Sequence, residues 1–512
     1  MQKTYDIIVI GSGLGGLTAG AELASKGQRV LVLEQHFQVG GSATSFKRNA
    51  YTYEAGLHMT AMVDEDSDHY DFFKKCGLLE KLNFVPAPEF YFIKGYDYEF
   101  VFGNDIEDNI RRLKEMFPQE KRGIDNYFKT IFKVHDKIMQ LGKYNDLGRL
   151  FALLISPFFY PKVLTSMLGN VGKFLDRCFN DERLKSILLA NIGYYDDDPY
   201  DLSLAFYAIA QTGYYRKGGY YIQGGSHQLP YAMADYISGH GGDVLTSKQV
   251  TRILTENGKA IGVEYHSKKG KIAEATTERA YAPIIIANTA IPNVANELLD
   301  EKTAKPLKKK IAGMDVGPSI MTVYIAMDKP MKALGNTYYS CNYYDSKKFT
   351  LKEMAALHAS DFDTRPFIMC DYSQVDSKLF PEGAGYVVLS LFDYYKDWEG
   401  LSDEEYKKKK ERATNLLVDR LCGKFPGLRE HIVRVETATA KTMKHYLQTP
   451  EGTAYGFAQY PKQALIFRPG VRSPIKNLYF ASAWTMPGGG FGGAMASGHF
   501  CAAEINKKLR ID

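Results

Sequence analysis

Tyr5-Asp6-Ile7-Ile8-Val9-Ile10-Gly11-Ser12-Gly13-Leu14-Gly15-Gly16 decides the fold of this chain. Ile7 to Ile10 is an unbroken apolar run, the pattern of a parallel strand buried on both faces. Gly11 permits a sharp turn, Gly13 a close backbone approach to a pyrophosphate, and Gly16 tight packing of the next helix on the sheet. That helix is expected over Leu17 to Lys26, with Gly27 as its stop. Its positive N-terminal end suits a diphosphate. A second apolar strand, Val30 to Leu33, ends at Glu34, about 20 residues beyond the glycines, where an acid accepts hydrogen bonds from a ribose. Far downstream stands Asn477-Leu478-Tyr479-Phe480-Ala481-Ser482-Ala483-Trp484-Thr485-Met486-Pro487-Gly488-Gly489-Gly490-Phe491-Gly492-Gly493. It reads as a strand, a tight turn and a new helix start. The two ends together point to a cofactor held by both termini, in an α/β fold with a Rossmann-type unit.

At 512 residues the chain exceeds one ordinary domain, and a 45% hydrophobic content supports a sizeable core. The net charge of +5 is too mild to argue for nucleic acid. Six cysteines without CxxC spacing argue against a metal site or a disulfide framework, and fit a reducing compartment. No signal peptide is expected ahead of the first strand, and no apolar run is long enough to span a bilayer. A cytoplasmic location is expected, with a candidate peripheral contact at the inner face of the membrane.

The first fingerprint alone does not separate NAD from FAD. Val39-Gly40-Gly41-Ser42-Ala43-Thr44-Ser45-Phe46 and Glu54-Ala55-Gly56-Leu57-His58 follow it. Together with Gly224-Gly225-Ser226-His227-Gln228-Leu229, Val250 and Gly262-Val263, they resemble the motifs of the FAD-dependent amine oxidase and phytoene desaturase superfamily. Ser42 stands where that family usually carries Arg. Thr449 to Phe457 resembles the P-x-G-x-x-YG element of carotenoid isomerase and retinol saturase-like proteins. Ser482-Ala483 replaces the "AG-acid" of amine oxidases, a departure toward the polyene enzymes. The resemblance implies FAD, bound through Gly11, Gly13, Leu14, Gly15, Gly16, Glu34, Gly40, Gly41, Ser42, Val250, Ala483, Met486, Pro487, Gly493 and Ala494. A helix starting at Ala494 would aim its N-terminus at the flavin pyrimidine. It also implies desaturation, saturation or cis-trans isomerisation of an apolar polyene or isoprenoid. The alternatives are an amine-oxidase-like enzyme and a prenyl-lipid escort of the same fold.

The FAD-binding domain is expected to be discontinuous, over residues 1–65, 219–295 and 465–512. Residues 66–218 and 296–464 would form an inserted mixed α+β substrate domain. The absence of a second glycine fingerprint favours a quinone, oxygen or another carrier over a nicotinamide as electron partner. The run Leu150 to Pro161, too short to span a bilayer, is the candidate membrane contact, against a buried-helix reading. Recurrent tyrosine doublets suit an apolar chamber or ordinary packing. Catalytic groups are open: Glu54, one helical turn before His58, and His58 itself are the candidates, and a structural role for each is the simpler reading. His227 reads as a capping or packing residue.

Overall fold

A computed structural model describes residues 4–63, 65, 67–142, 168–268, 277–347 and 350–510. The segment around 150–161 lies outside these residues. Ile7–Ile10 forms a strand with every residue buried, as its unbroken apolar sequence requires. It is the centre of a five-stranded parallel sheet, flanked by Val30–Leu33 and Ile284–Ala287, with Asp243–Leu245 and Leu478–Phe480 at the edges. Strands from three distant parts of the sequence therefore meet in one sheet.

Helices Leu14–Ser25, Gln228–Gly239 and Phe491–Leu509 cover one face of this sheet, and small residues let the first and last touch. Leu14–Ser25 starts three residues earlier than expected, directly behind Gly13. Phe491–Leu509 likewise begins at Phe491 rather than Ala494. The helices cross where Gly15 meets Gly498. A Cβ on Gly498 would lie 2.5 Å from the Gly15 carbonyl oxygen, and one on Gly15 would lie 2.6 Å from that of Ala481. Neither space admits a side chain.

A three-stranded antiparallel sheet, Lys248–Glu256, Lys259–Ser267 and Glu278–Tyr281, packs beside the parallel one. The other large layer is a seven-stranded sheet in the order Ile432–Ala438, Ser319–Met327, Gly385–Asp393, Phe367–Asp371, Ser340–Tyr343, Tyr91–Lys94, Glu99–Phe102. Its last two strands come from the stretch between 66 and 218, whose sequence is rich in helical patterns. The Lys407 to Lys410 run sits on the helix Asp403–Lys424. Lys408 pairs with Glu404 on the surface, while Lys409 lies over the Trp398 ring at 5.0 Å. Among the described residues no helix is long and apolar enough to cross a membrane.

Candidate functional site: a glycine-walled cleft opening into an aromatic chamber

A continuous cavity of about 2230 Å³ runs from the glycine loop, past the C-terminal glycines, into the space over the seven-stranded sheet. Gly11 takes a φ of +90°, open to glycine at no steric cost. Asn288, which follows the strand Ile284–Ala287, fills the hollow beneath the loop. Its side-chain amide lies 2.8 Å from where a Gly13 Cβ would sit, and its own Cβ lies 2.7 Å from the Gly16 position. The missing Gly13 side chain therefore makes room for Asn288, and the loop backbone is left facing the cavity. Gly16 does not line the cavity; it seats the helix on Asn288.

Glu34 directly follows the second strand, Val30–Leu33, and is 6% exposed. Its Oε2 accepts hydrogen bonds from the Ser12 amide at 2.8 Å and the Ser12 hydroxyl at 2.7 Å, and its Oε1 accepts from the His36 amide at 2.8 Å. The carboxylate braces the glycine loop, and it also lines the cavity. Gly40 and Gly41, at φ +123° and +59°, bring the next segment against Gly13. Ser42 and Val250 line the same wall.

Both helices that begin at this cleft lack a side-chain cap: Leu14–Ser25 starts from Gly13, and Phe491–Leu509 from Gly490. Seven helices elsewhere satisfy their first amides with Ser67, Asp105, Asn170, Asp181, Ser203, Asp300 or Ser402, while Gln228–Gly239 also lacks a side-chain cap. The two uncapped N-termini at this cleft turn free N–H groups and positive dipole ends toward one cavity, a setting for a diphosphate and for an electron-rich ring.

The segment Ala481 to Gly493 forms the opposite wall, where Ala483, Met486, Pro487, Gly493 and Ala494 face the cavity. Gly456 packs against it, its Cβ position 3.2 Å from the Ala483 carbonyl oxygen. A residue with no motif signature ties these parts together. Arg468, 4% exposed, donates to the carbonyls of Phe457 at 2.9 Å and Ala483 at 3.0 Å, and to Gln459 at 3.2 Å. Burial without a contacting carboxylate lowers its guanidinium to about 9.

Glu54 ends the strand Tyr51–Glu54, so no helical turn joins it to His58. Its Oε1 accepts from the amides of Gly56 and Leu57, both at 3.1 Å, and from the Ser226 hydroxyl at 2.6 Å. Its Oε2 accepts from the Tyr221 hydroxyl at 2.9 Å and the Ser226 amide at 2.8 Å. With its lone pairs so engaged, this carboxylate is a knot joining the 54–57 turn to the start of the 226 helix. His227 packs there as well, its Nδ1 bonded to the Ser45 hydroxyl at 2.5 Å.

His58 faces the chamber, with Nε2 3.2 Å from the Ser390 hydroxyl and its ring 6.0 Å from that of Tyr194. Burial lowers it to about 4, and His69, beside Gly492, to about 3. Both rings are therefore neutral at pH 7. A buried neutral histidine resists protonation that the unfolded chain, at about 6.5, accepts freely. Stability is thus complete above pH 6.5 and falls as the pH drops toward 4. Each ring contributes a slope of up to about 1.4 kcal/mol per pH unit. Urea midpoints between pH 7 and 4.5 should fall, and His58→Phe should flatten the decline; an unchanged slope would place His58 in solvent.

Tyrosines from the doublets divide between two roles. Tyr194, Tyr195, Tyr214 and Tyr344 line the chamber. Tyr215 and Tyr221 are core, Tyr215 sharing a hydroxyl cluster with Tyr127 and Tyr207.

Comparison with known proteins fixes the family. A flavin-containing amine oxidoreductase model matches residues 14–506. The chain belongs to that family. FAD is its cofactor, and it is an FAD-dependent oxidoreductase of Rossmann-type fold with a substrate domain. Among curated relatives, this flavoprotein is 25% identical to an all-trans-retinol 13,14-reductase from Danio rerio, over 100% of this chain and 88% of the relative. It is 25% identical to a chloroplastic prolycopene isomerase from Daucus carota, over 100% and 81% respectively. Among solved structures, putrescine oxidase bound to putrescine aligns with a TM-score of 0.62 at 15% identity, over 99% of both chains, a likeness of fold.

With the cofactor known, the cavity-lining Glu34 carries a direct expectation. We propose that its carboxylate accepts from the ribose, so that Glu34→Ala would remove this charged acceptor together with the brace on Ser12. A charged hydrogen bond is worth about 1.5–3 kcal/mol, or roughly 10- to 150-fold in affinity. Fluorescence titration of the deflavinated variant with FAD should show a weakening of at least tenfold. Wild-type affinity would remove Glu34 from the site.

Proposed function

We propose that this flavoprotein acts on carbon-carbon double bonds of an apolar polyene or isoprenoid, as a saturase, desaturase or isomerase. The observation that carries this reading is the chamber itself. It continues directly from the glycine-walled cleft and is lined by Tyr194, Tyr214, Ile368, Val388 and Phe392, with neutral His58 at its polar point. Such walls exclude water and stack on a flat conjugated chain. The retinol reductases and prolycopene isomerases among its relatives support the same class. Bound FAD supplies hydride and electron transfer. The protein's part is to hold the glycine cleft with Glu34, close the far wall with Arg468, and orient the chain along the Val388-Ser390-Phe392 face. In this reading residues 1–65, 219–295 and 465–512 hold the cofactor, and 66–218 and 296–464 shape the chamber. The residues near 150–161 would meet the bilayer from which so insoluble a substrate is drawn.

One experiment tests these points. The holoprotein is incubated with liposomes carrying all-trans-retinol or a poly-cis carotene, with the flavin reduced or oxidised beforehand. Mass spectrometry of the extracted lipid then reads a gain of two hydrogens, a loss of two, or a change of geometry at constant mass. Sedimentation of protein with the liposomes reads the membrane contact. Flavin reduction by a primary amine, with every polyene recovered unchanged, would overturn the reading.

A further inference from the structure

His358 ends the short helix Met354–His358, at the wall of the chamber. It is 3% exposed and lines the chamber beside Phe367, Ile368, Leu391 and Phe392. Its ring packs edge-on to Phe392, centroids 4.8 Å apart. The lining is continuous from His58: that ring meets Tyr194, the adjoining Gly193 lies against Ile368 and Phe392, and Phe392 touches His358.

One hydrogen bond fixes the chemistry of this imidazole. Its Nδ1 lies 2.7 Å from the backbone carbonyl oxygen of Asp197. A carbonyl oxygen only accepts, so Nδ1 carries the proton, and Nε2 of the neutral ring is an acceptor. Among the described residues Nε2 has no hydrogen-bond partner. The mounting is rigid. Asp197 receives the Tyr394 hydroxyl on its carboxylate at 2.5 Å. Arg365 grips the Ser360 carbonyl with Nε at 2.8 Å and the Phe392 carbonyl with Nη1 at 2.9 Å, locking the turn after His358 to the strand that lines the chamber. The charged groups facing the ring are Asp197 and Arg365; Arg365 and burial disfavour its protonation, and Asp197 favours it, with burial dominant.

A chain filling the chamber would take this acceptor out of water, at a cost in free energy unless the ligand itself satisfies it. A hydrocarbon polyene would leave Nε2 unpaired. A carboxylate end group would set two acceptors against each other. A hydroxyl donates one hydrogen and needs one acceptor. We propose that His358 is the docking point for a terminal hydroxyl group, so that the substrate is a polyene or isoprenoid alcohol rather than a hydrocarbon. This rests on the apolar-polyene reading above and narrows it. His358 acts here as a specificity residue at the end of the substrate.

The test is equilibrium binding to the oxidised holoprotein, followed by ligand fluorescence, with three probes of one skeleton: all-trans-retinol, its methyl ether, and the hydrocarbon lacking the oxygen. The wild type should bind the alcohol about ten- to a hundredfold more tightly than either other probe, the range for satisfying one buried acceptor. The ether matters because its oxygen accepts but does not donate. His358→Phe keeps the packing on Phe392 and should abolish the preference, leaving hydrocarbon affinity within about twofold. His358→Gln, which restores an acceptor oxygen, should recover part of it. Equal wild-type affinity for alcohol and hydrocarbon overturns the proposal and leaves the polyene reading standing, as does a preference that survives His358→Phe. No binding of any of the three probes overturns both. Should His358→Phe fail to fold, the three wild-type affinities decide alone.

Discussion

Replacing Gly498 with valine is expected to part the two ends of the chain and release the flavin. The new Cβ would sit 2.5 Å from the Gly15 carbonyl oxygen, 2.7 Å from the Thr18 Cβ and 3.1 Å from the Ala19 amide nitrogen. Two of these are backbone atoms of a helix and do not swing aside as a flexible side chain would. The helices must separate, and either one that yields carries a wall of the cleft at its head. Overpacking of this kind costs about 1–3 kcal/mol, and more where backbone is met. The measurements are the flavin-to-protein ratio after gel filtration and the urea midpoint, both of which should fall. Gly423→Ala is the matched control, because that helical glycine has nothing within 4 Å of its Cβ position. It should leave the flavin in place and raise stability by about 0.5–1 kcal/mol. If Gly498→Val keeps its full flavin and midpoint, the close crossing is dispensable.

Glu54→Ala should be as damaging, for a chemical rather than a steric reason. It strands the Gly56, Leu57 and Ser226 amides and two hydroxyls in a site that is 1% exposed. Each buried donor left unpaired costs about 1–3 kcal/mol. A few of them approach the about 5–15 kcal/mol that holds a typical protein folded. We expect insoluble or flavin-free protein from Glu54→Ala. Glu54→Gln, which keeps one acceptor oxygen, should fold with a lowered midpoint and retain its rate of flavin reduction by dithionite. A Glu54→Ala protein of wild-type stability whose only defect is turnover would reverse the assignment and make Glu54 a catalytic group.

These two residues show what a sequence does and does not disclose. Local signals were sufficient for the cleft. An apolar tetrapeptide, a run of glycines, a second apolar tetrapeptide and an acid each have one physical explanation, and their order along the chain narrows it further. What local signals do not disclose are contacts with partners remote in sequence. Gly13 looks like a gap left for a ligand, yet its missing side chain makes room for Asn288, from the far side of the sequence. Glu54 looks available for chemistry until Tyr221 and Ser226 close on it. Both helix starts were placed late because glycine has low helix propensity, whereas here the glycines are helical so that other backbone can touch them. Arg468 and His358 carry no motif; their roles come from burial, which periodicity does not reveal. The strands Tyr91–Lys94 and Glu99–Phe102 were hidden by the helical stretches around them.

The crossing of the first and last helices also sets an order of events during biosynthesis. At about 5–20 residues per second, a chain of 512 residues occupies a ribosome for roughly half a minute to two minutes. Throughout that time the glycine face of Leu14–Ser25 lacks its cover, and the central strand Ile7–Ile10 waits for Ile284–Ala287. The wall opposite the glycine loop emerges last, with the residues after Leu478. Nascent chains that lack this wall can therefore hold half a cleft but not a closed one, and loading of FAD waits for the residues after Leu478. A yellow molecule is one in which the last helix, Phe491–Leu509, has been made and docked, so the cofactor reports that both walls are present. Fragments released early remain colourless, with an uncovered apolar helix face of the kind that chaperones and proteases recognise.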